Sequence, residues 1–180
     1  MTLAASVALA CAVKQLSESC EGAVRLAPEI KWPNDVLLGG KKTAGILLET
    51  ASSAQTDPAA VLGVGINVGR DSIPPGLDDR VTSLDSEAGV RLPRRSLLVL
   101  FLKLFQQGYL SFENGNHEAI LREWKSWSKM WNGTRVKVMD GETSRSVVTC
   151  GLSEDGGLMV RTDDGTEEIV LAADVSVRHD

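Results

Sequence analysis

Cysteine, histidine and aromatic residues are scarce in this chain of 180 residues, which has three cysteines, two histidines and 4% aromatic residues. The three cysteines, Cys11, Cys20 and Cys150, are widely spaced and support neither a disulfide framework nor a Cys-x-x-Cys metal clamp. The two histidines, His117 and His179, form no pattern with metal-ligating or nucleophilic residues. We therefore expect a protein of the reducing cytoplasm, without a metal site or a nucleophilic triad built from these cysteines and histidines.

Long hydrophobic runs and an excess of positive charge are also absent. The segment from Leu97 to Leu104 is far shorter than the roughly 20 residues of a membrane span, and Lys103 interrupts it. Leu3 to Val13 is apolar like a signal-peptide core, but no lysine or arginine precedes it. The net charge is −5, and residues 132–180 hold 5 Lys/Arg against 10 Asp/Glu. Membranes and nucleic acids are therefore not expected partners.

The first half of the chain has one helical pattern followed by four strand patterns. Apolar residues at helical spacing without Gly or Pro predict a helix from Thr2 to about Ser19. The following apolar runs predict strands at Val24–Trp32, Val36–Leu38, Thr43–Leu48 and Val61–Val68. The Gly39-Gly40 pair predicts a tight hairpin, and the last strand, apolar on both faces, is expected to be central. Residues 69–80, which include Pro74-Pro75-Gly76, are predicted to be a loop.

In the second half of the chain, the sequence pattern changes after Trp131 from helices to short strands. Arg94–Phe112 and His117–Trp131 have helical patterns, separated by Asn114-Gly115-Asn116. Beyond them, Asp-Gly and Asn-Gly turns separate short apolar runs: Arg135–Met139, Val147–Leu152, Leu158–Arg161 and Glu168–Leu171. Four or five such strands predict a small β-barrel. We expect an α+β protein in two domains, residues 1–131 and 132–180. The first domain is predicted to contain a mixed β-sheet with helices packed on one side.

Two charged side chains near the glycine hairpin are candidate site residues. Lys42 follows the turn by one residue, so a rigid hairpin could hold its ammonium over a pocket and neutralise a carboxylate that attacks phosphorus. The alternative is a solvated lysine that guards a sheet edge, which also suits its neighbour Lys41. Asp35 could bind Mg²⁺ or orient an amine nucleophile, or the Asn34-Asp35 pair could simply cap the turn.

The segment Gly63-Val64-Gly65-Ile66-Asn67 is a second candidate. It lacks the third glycine and the following helix of a dinucleotide fingerprint. Small residues in a strand serve either packing or the close approach of a ligand, and Asn67 could bond a base or a phosphate. The tryptophans at 124, 127 and 131 recur at helical spacing, which favours packing over base stacking.

Three blocks in this order and spacing resemble the biotin protein ligase family: Lys31-Trp32-Pro33-Asn34-Asp35, Lys42-Thr43-Ala44-Gly45-Ile46-Leu47-Leu48-Glu49 and Gly63-Val64-Gly65-Ile66-Asn67-Val68. The resemblance implies a partial class II synthetase-like catalytic domain followed by an SH3-like barrel. It implies condensation of biotin with ATP to biotinyl-5'-adenylate, with Mg²⁺ as cofactor. Biotin then passes to a lysine of a biotin carboxyl carrier protein, such as an acetyl-CoA carboxylase subunit.

The resemblance also implies residue roles. Lys42 would contact the biotin carboxyl group and the adenylate phosphate, and Asp35 would assist attack by the acceptor lysine. Lys31 and Asn34 would lie near the phosphates. Gly45, Ile46 and Leu47 would line the biotin site with their backbone, and Ile66 with Asn67 would contact adenine.

Family members carry further segments upstream of the matching region, including a Ser/Thr-rich biotin-ring segment and a Gly-Arg-Gly-Arg-type loop that covers the adenylate. In this chain the Gly-Arg pair, Gly69-Arg70, lies downstream instead. An acyl-adenylate must be kept from water, so we expect this chain alone to bind biotin weakly and to be poorly active or inactive. The alternatives are a noncatalytic module that docks a carrier domain or partner subunit, and a lipoate ligase-like transferase. A homodimer through sheet edges is a further expectation.

Overall fold

The computed structural model describes residues 1–53, 56–73, 76–77, 79–140, 143–171 and 176–179. The helices are α1 (Thr2–Ser19), α2 (Leu84–Ala88), α3 (Arg94–Glu113) and α4 (His117–Trp127), with a 3-10 turn at Arg70–Ser72. The strands are β1 (Glu29–Lys31), β2 (Asp35–Leu38), β3 (Lys41–Ser53), β4 (Thr56–Ile66), β5 (Asn132–Asp140), β6 (Thr143–Leu152), β7 (Leu158–Arg161), β8 (Glu167–Val170) and β9 (Ser176–His179). In the described part, no helix is long and apolar enough to cross a membrane.

The first sheet has the order β1-β2-β3-β4, and all three of its ladders are antiparallel. The expected mixed sheet is therefore wrong, and parallel pairing is limited to an isolated bridge between Lys42 and Val81 in the described residues. The predicted central position of the last strand is also wrong, because β4 lies at the edge of this sheet. Val61 is 64% exposed, so the apolar run has one covered face and one open face.

Helix α1 begins and ends where the sequence predicts, because no Gly or Pro interrupts its apolar spacing. Its alanines, including Ala5, Ala8 and Ala12, are buried and allow close approach to the sheet. They pack with Val36, Ile46 and other residues of β2, β3, α2 and α3 in one core cluster. The face of the first sheet that points away from this core is called the outer face below.

The glycine hairpin between β2 and β3 is confirmed. Gly39 and Gly40 have φ angles of 56° and 80°, which residues with a Cβ adopt only at a cost. Two consecutive positive φ angles define the turn type whose twist matches that of antiparallel strands. The turn therefore fixes the register that places Lys42 and its neighbours opposite β2.

The predicted strand at Val24–Trp32 is shorter than expected, since only Glu29–Lys31 pairs with β2. The helix predicted at His117–Trp131 is also shorter, because α4 ends at Trp127. Trp131 lies beyond the helix and packs, with the buried Met130 and Trp124, against the second core cluster. The Pro74-Pro75 part of the predicted loop lies outside the described residues.

The predicted short strands after residue 131 form a second sheet with the order β8-β7-β6-β5-β9, all antiparallel. Within the described residues, β8 and β9 form no ladder with each other, so this sheet is not a closed barrel. The strand content is confirmed, and the closed SH3-like barrel is not. The division into domains at residue 132, where β5 begins, stays a prediction.

Trp32 joins the two sheets. Its ring is buried, its indole Nε1 donates a hydrogen bond to the carbonyl of Gly156 at 3.0 Å, and its backbone N–H lies 3.3 Å from the sulfur of Met130. Gly156 belongs to an Asp-Gly-Gly turn that precedes β7. The second sheet is thereby anchored next to the Pro33-Asn34 turn of the first.

Candidate functional site

Four residues form one row across the outer face of the first sheet. Lys31 lies opposite Asp35, Asp35 opposite Gly45, and Gly45 opposite Gly65. Directly opposed residues in a sheet project from the same face. The row therefore places two predicted charged groups, Lys31 and Asp35, beside two positions without side chains.

A β-bulge brings Lys42 to this face. Val36 lies opposite Ala44 but Leu37 lies opposite Lys42, so Thr43 is an extra residue in β3. In a regular strand, residues 42, 44 and 46 would share one face, and Ala44 and Ile46 are buried in the core. The extra residue turns Lys42 from the core side to the outer face. Sequence reasoning missed this bulge, because it predicted a strand at Thr43–Leu48 without an irregularity.

The Lys42 ammonium is held by Asp35. Its Nζ lies 2.5 Å from Asp35 Oδ1, and the lysine and aspartate side chains are 46% and 18% exposed. A Cβ placed on Gly45 would lie 3.2 Å from Lys42 Nζ and 3.6 Å from Asp35 Oδ1. The absent side chain of Gly45 therefore leaves the space in which the ion pair lies. Lys42 is held at the protein surface and accessible to an anion.

The backbone of Lys42 is fixed from the other side by the segment before α2. Its N–H donates to the carbonyl of Arg80, and its carbonyl accepts from the N–H of Thr82, both at 2.9 Å. The Thr82 hydroxyl donates to Glu87 Oε1 at 2.6 Å, and Ser83 caps α2 by accepting from the Ser86 N–H. Sequence reasoning assigned no role to Glu87, which ties this segment to α2.

Asn34 fixes the turn that precedes Asp35. Its side-chain Nδ2 donates to the carbonyl of Ile46 at 2.7 Å, and its own carbonyl accepts from the N–H of Ile46 at 2.9 Å. This reciprocal pair joins the turn after Trp32 to β3. The structure therefore brings Asn34, Asp35, Lys42 and Gly45 together, as predicted.

Glycines form much of the floor beside Lys42. Gly63 lies opposite Leu47, and Gly65 lies opposite Gly45. A Cβ on Gly63 would lie no nearer than 3.7 Å to another atom, and one on Gly65 no nearer than 3.9 Å, so neither position is glycine because of internal crowding. Leu47 is 58% exposed on the same face. This floor suits the close approach of a flat ligand with apolar parts.

Two predicted site residues are placed differently from the rest. Ile66 lies opposite the buried Ala44 and packs against the core, so its predicted contact with adenine could come only from its backbone. Asn67 lies at the end of β4, where its N–H donates to the carbonyl of Thr43 at 2.8 Å. Its carbonyl accepts from Leu84 at 2.9 Å. Asn67 therefore borders the bulge, and its contact with adenine stays a prediction.

A cavity of about 590 Å³ lies next to the site, on the side of the Pro33-Asn34 turn. It separates this turn from the N-terminus of α1, from α4 and from the Asp155-Gly156 turn of the second sheet. Asn34, Ile46 and Leu47 line it, whereas Lys42 and Asp35 are not among its lining residues. The cavity thus continues the site toward the second sheet.

Metal binding by the protein alone finds no support in the described residues. They contain no group of three or more His, Cys, Asp or Glu side chains that could hold an ion. Mg²⁺ that arrives with nucleotide phosphates needs only one or two protein carboxylates. Asp35 fits that limited role, because it is a carboxylate next to a cationic, anion-accessible group.

Comparisons with known proteins identify the class of this site. Residues 3–67 match the family model described as the biotin/lipoate A/B protein ligase family. The bifunctional ligase/repressor BirA of Bacillus subtilis is 29% identical over 175 residues, which are 96% of this chain and 51% of that protein. The biotin--[acetyl-CoA-carboxylase] ligase of Paracoccus denitrificans is 30% identical over 164 residues, 89% of this chain and 66% of that protein.

Solved structures agree with this assignment. The apo biotin protein ligase from Aquifex aeolicus has a TM-score of 0.81 at 27% identity, over 99% of this chain and 74% of that chain. The Aquifex aeolicus ligase in complex with biotin and ATP has a TM-score of 0.76 at 29% identity, over 99% of this chain and 72% of that chain.

The chain therefore belongs to the biotin/lipoate A/B protein ligase family. Within that family, the relatives and structures that it resembles are biotin protein ligases. The chain spans about half the length, 51%, of the Bacillus relative that it matches.

Proposed function

We propose that this chain carries part of the active site of a biotin protein ligase, which joins biotin to a carrier-protein lysine by way of biotinyl-5'-adenylate. The observation that carries the proposal is the Lys42 ammonium, held 2.5 Å from Asp35 beside the bare backbone of Gly45. A cation fixed over an open floor suits a reaction that brings a carboxylate and a phosphate together.

In the first step, a biotin carboxylate oxygen attacks the α-phosphorus of ATP and pyrophosphate leaves. Lys42 would neutralise the two anions, which otherwise repel each other as they approach. Lys31 would add a second positive charge at the far end of the Lys31–Asp35–Gly45 row. The backbone of Gly45 to Leu47, with Gly63 and Gly65 opposite, would support the biotin ring system, and Asn67 would meet adenine.

Asp35 would then have two functions. Its carboxylate holds Lys42 in the free protein, and it would orient the acceptor amine for attack on the biotinyl carbonyl, which releases AMP. Asp35 could supply a carboxylate oxygen to the Mg²⁺ that accompanies ATP, and the ion would offset the repulsion between this carboxylate and the phosphates. The acceptor is a biotin carboxyl carrier protein, in accordance with the acetyl-CoA carboxylase ligase named among the relatives.

The open outer face suggests poor retention of the intermediate by this chain alone. Leu47 and Val61 are more than half exposed, so water can reach a mixed anhydride bound beside them. We therefore expect released biotinyl-5'-adenylate to exceed transferred biotin when the chain is assayed by itself.

Pyrophosphate exchange into ATP tests the first step. We expect exchange that requires biotin and is not supported by lipoate, the other acid named in the family description. Lys42→Ala should lower the exchange rate by roughly 100-fold to 1,000-fold, because it removes a charge-stabilising group. Lys41→Ala, at the adjacent lysine, is the matched control and should retain nearly full activity. Equal rates for the two variants would refute the role of Lys42.

Lipoate-dependent exchange would instead assign the site to lipoate ligation. If neither acid supports exchange while both still bind, the chain is a noncatalytic binding module.

A further inference from the structure

Helix α3 carries a row of exposed residues that no described element covers. The row, called the α3 stripe, consists of Arg95, Val99, Leu102, Gln106, Tyr109 and Glu113. Val99, Leu102 and Tyr109 are 46%, 53% and 42% exposed, and the flanking Leu98 and Leu110 are 55% and 52% exposed. The opposite side of α3 carries its buried residues, Leu97 and Phe101. Contiguous exposed apolar surface of this kind marks an interaction site.

The spacing within the α3 stripe is that of a helix–helix seam. Successive members are separated by four, three, four, three and four residues, the alternation that keeps a coiled-coil seam facing its partner. The middle of the stripe consists of Val99, Leu102 and Tyr109 with one polar residue, Gln106, and charged residues of opposite sign stand at its two ends. An ordinary solvent-exposed helix face has no reason to combine these two features.

The stripe is complementary to itself when reversed. Its members lie at equal distances in sequence on either side of Leu104. In an antiparallel pair of α3 helices, Arg95 of one copy would face Glu113 of the other, and Val99 would face Tyr109. The central layers would pair Leu102 with Gln106, and a polar residue in a seam sets its register at some cost in stability.

From this symmetry we propose that two copies of the chain associate through antiparallel packing of their α3 stripes around a two-fold axis. The contact is isologous, so both Arg95–Glu113 pairs form at once and the assembly closes as a dimer. A parallel pair would place Arg95 against Arg95 and Glu113 against Glu113. This surface is distinct from the sheet edges and from the outer face that carries Lys42.

Sedimentation equilibrium of the full 180-residue chain, from micromolar to millimolar concentration at low salt, tests the proposal. We expect a monomer–dimer equilibrium. Leu102→Glu should weaken dimerisation by at least ~tenfold, because it buries two carboxylates in the central layers. Val24→Glu is the matched control, since Val24 is 60% exposed but lies outside the α3 stripe. It should leave the dissociation constant unchanged.

A charge exchange tests the antiparallel register. Arg95→Glu and Glu113→Arg should each weaken the dimer, by roughly tenfold at low salt, because each replaces two attractive pairs with two repulsive ones. The double variant should restore wild-type affinity. Circular dichroism checks that each variant keeps its helical content. A chain that stays monomeric at every concentration, or a double variant weaker than either single one, would overturn the proposal.

Discussion

Gly45 lies directly opposite Asp35 across β2 and β3, and a Cβ on Gly45 would lie only 3.2 Å from the Lys42 ammonium. Three features of the sequence create this arrangement. The glycine hairpin sets the register, the extra residue Thr43 turns Lys42 outward, and Gly45 leaves room for its side chain. The geometry therefore explains why Thr43 and Gly45 accompany Lys42 in the Lys42-Thr43-Ala44-Gly45 block.

The Asp35–Lys42 pair should show a small energetic coupling in the free protein. A double-mutant cycle with Asp35→Asn and Lys42→Met should give about 0.2–1 kcal/mol of coupling in the free energy of unfolding, since Lys42 is nearly half exposed and water screens the pair. Urea denaturation at low salt measures it. A coupling of zero would mean that the two side chains do not hold each other in solution.

Gly45→Ala should displace Lys42 without unfolding the protein. The new methyl group would meet the flexible end of the lysine side chain at 3.2 Å, so the lysine moves and the backbone stays. We expect the free energy of unfolding to change by about 1 kcal/mol or less, while the Asp35–Lys42 coupling becomes weaker. Gly65→Ala is the control, because its Cβ would have no neighbour nearer than 3.9 Å and the coupling should persist. Coupling retained in both backgrounds would contradict this account.

Substitutions at the two glycines of the hairpin turn should differ in their effect on stability. Gly40→Ala should lower the free energy of unfolding by about 1–2 kcal/mol, because Gly40 has φ 80° and alanine avoids this region. Gly39→Asn should be nearly neutral, since asparagine followed by glycine is favoured in this turn type. Thermal or urea unfolding of both variants measures the difference. Equal losses would indicate that the turn has another geometry in solution.

Trp32→Phe should destabilise the protein even though the replacement is aromatic. It removes the 3.0 Å hydrogen bond from Nε1 to the Gly156 carbonyl and leaves that carbonyl without this donor. We expect a loss of about 1–3 kcal/mol in the free energy of unfolding. Trp127→Phe is the comparison, because Trp127 is only partly buried and should tolerate the change better. A neutral Trp32→Phe would show that the contact between the two sheets contributes little.

The sequence was most informative where local signals act alone. Helix α1, the glycine hairpin and the short strands after residue 131 follow from residue spacing and turn residues, and all three are confirmed. Strand order was not predictable in the same way. The run at Val61–Val68 reads as apolar on both faces, yet β4 lies at an edge with Val61 exposed. Apolar composition does not reveal whether a neighbouring strand is present.

The sequence predicted which candidate residues lie close together but not how their side chains are directed, and their roles stay predictions. Asn34, Asp35, Lys42 and Gly45 come together as expected, whereas Ile66 turns its side chain toward the core. Ile66 faces the core because it lies opposite the buried Ala44, and the bulge at Thr43 affects Lys42 instead, which it turns outward. Glu87 binds Thr82 and so connects this segment to α2, but it is remote in sequence from Lys42, and no motif in the sequence pointed to it.

Binding of a hydrolysis-resistant biotinyl-5'-adenylate analogue, measured by calorimetry, tests the central claim most directly. It reports whether Lys42 holds the anionic centre, even if the chain turns over slowly. We expect Lys42→Ala to weaken binding by roughly tenfold to 100-fold, as for the loss of a charged hydrogen bond, while Lys41→Ala binds like the wild type. Equal affinities for the wild type and Lys42→Ala would contradict the central claim.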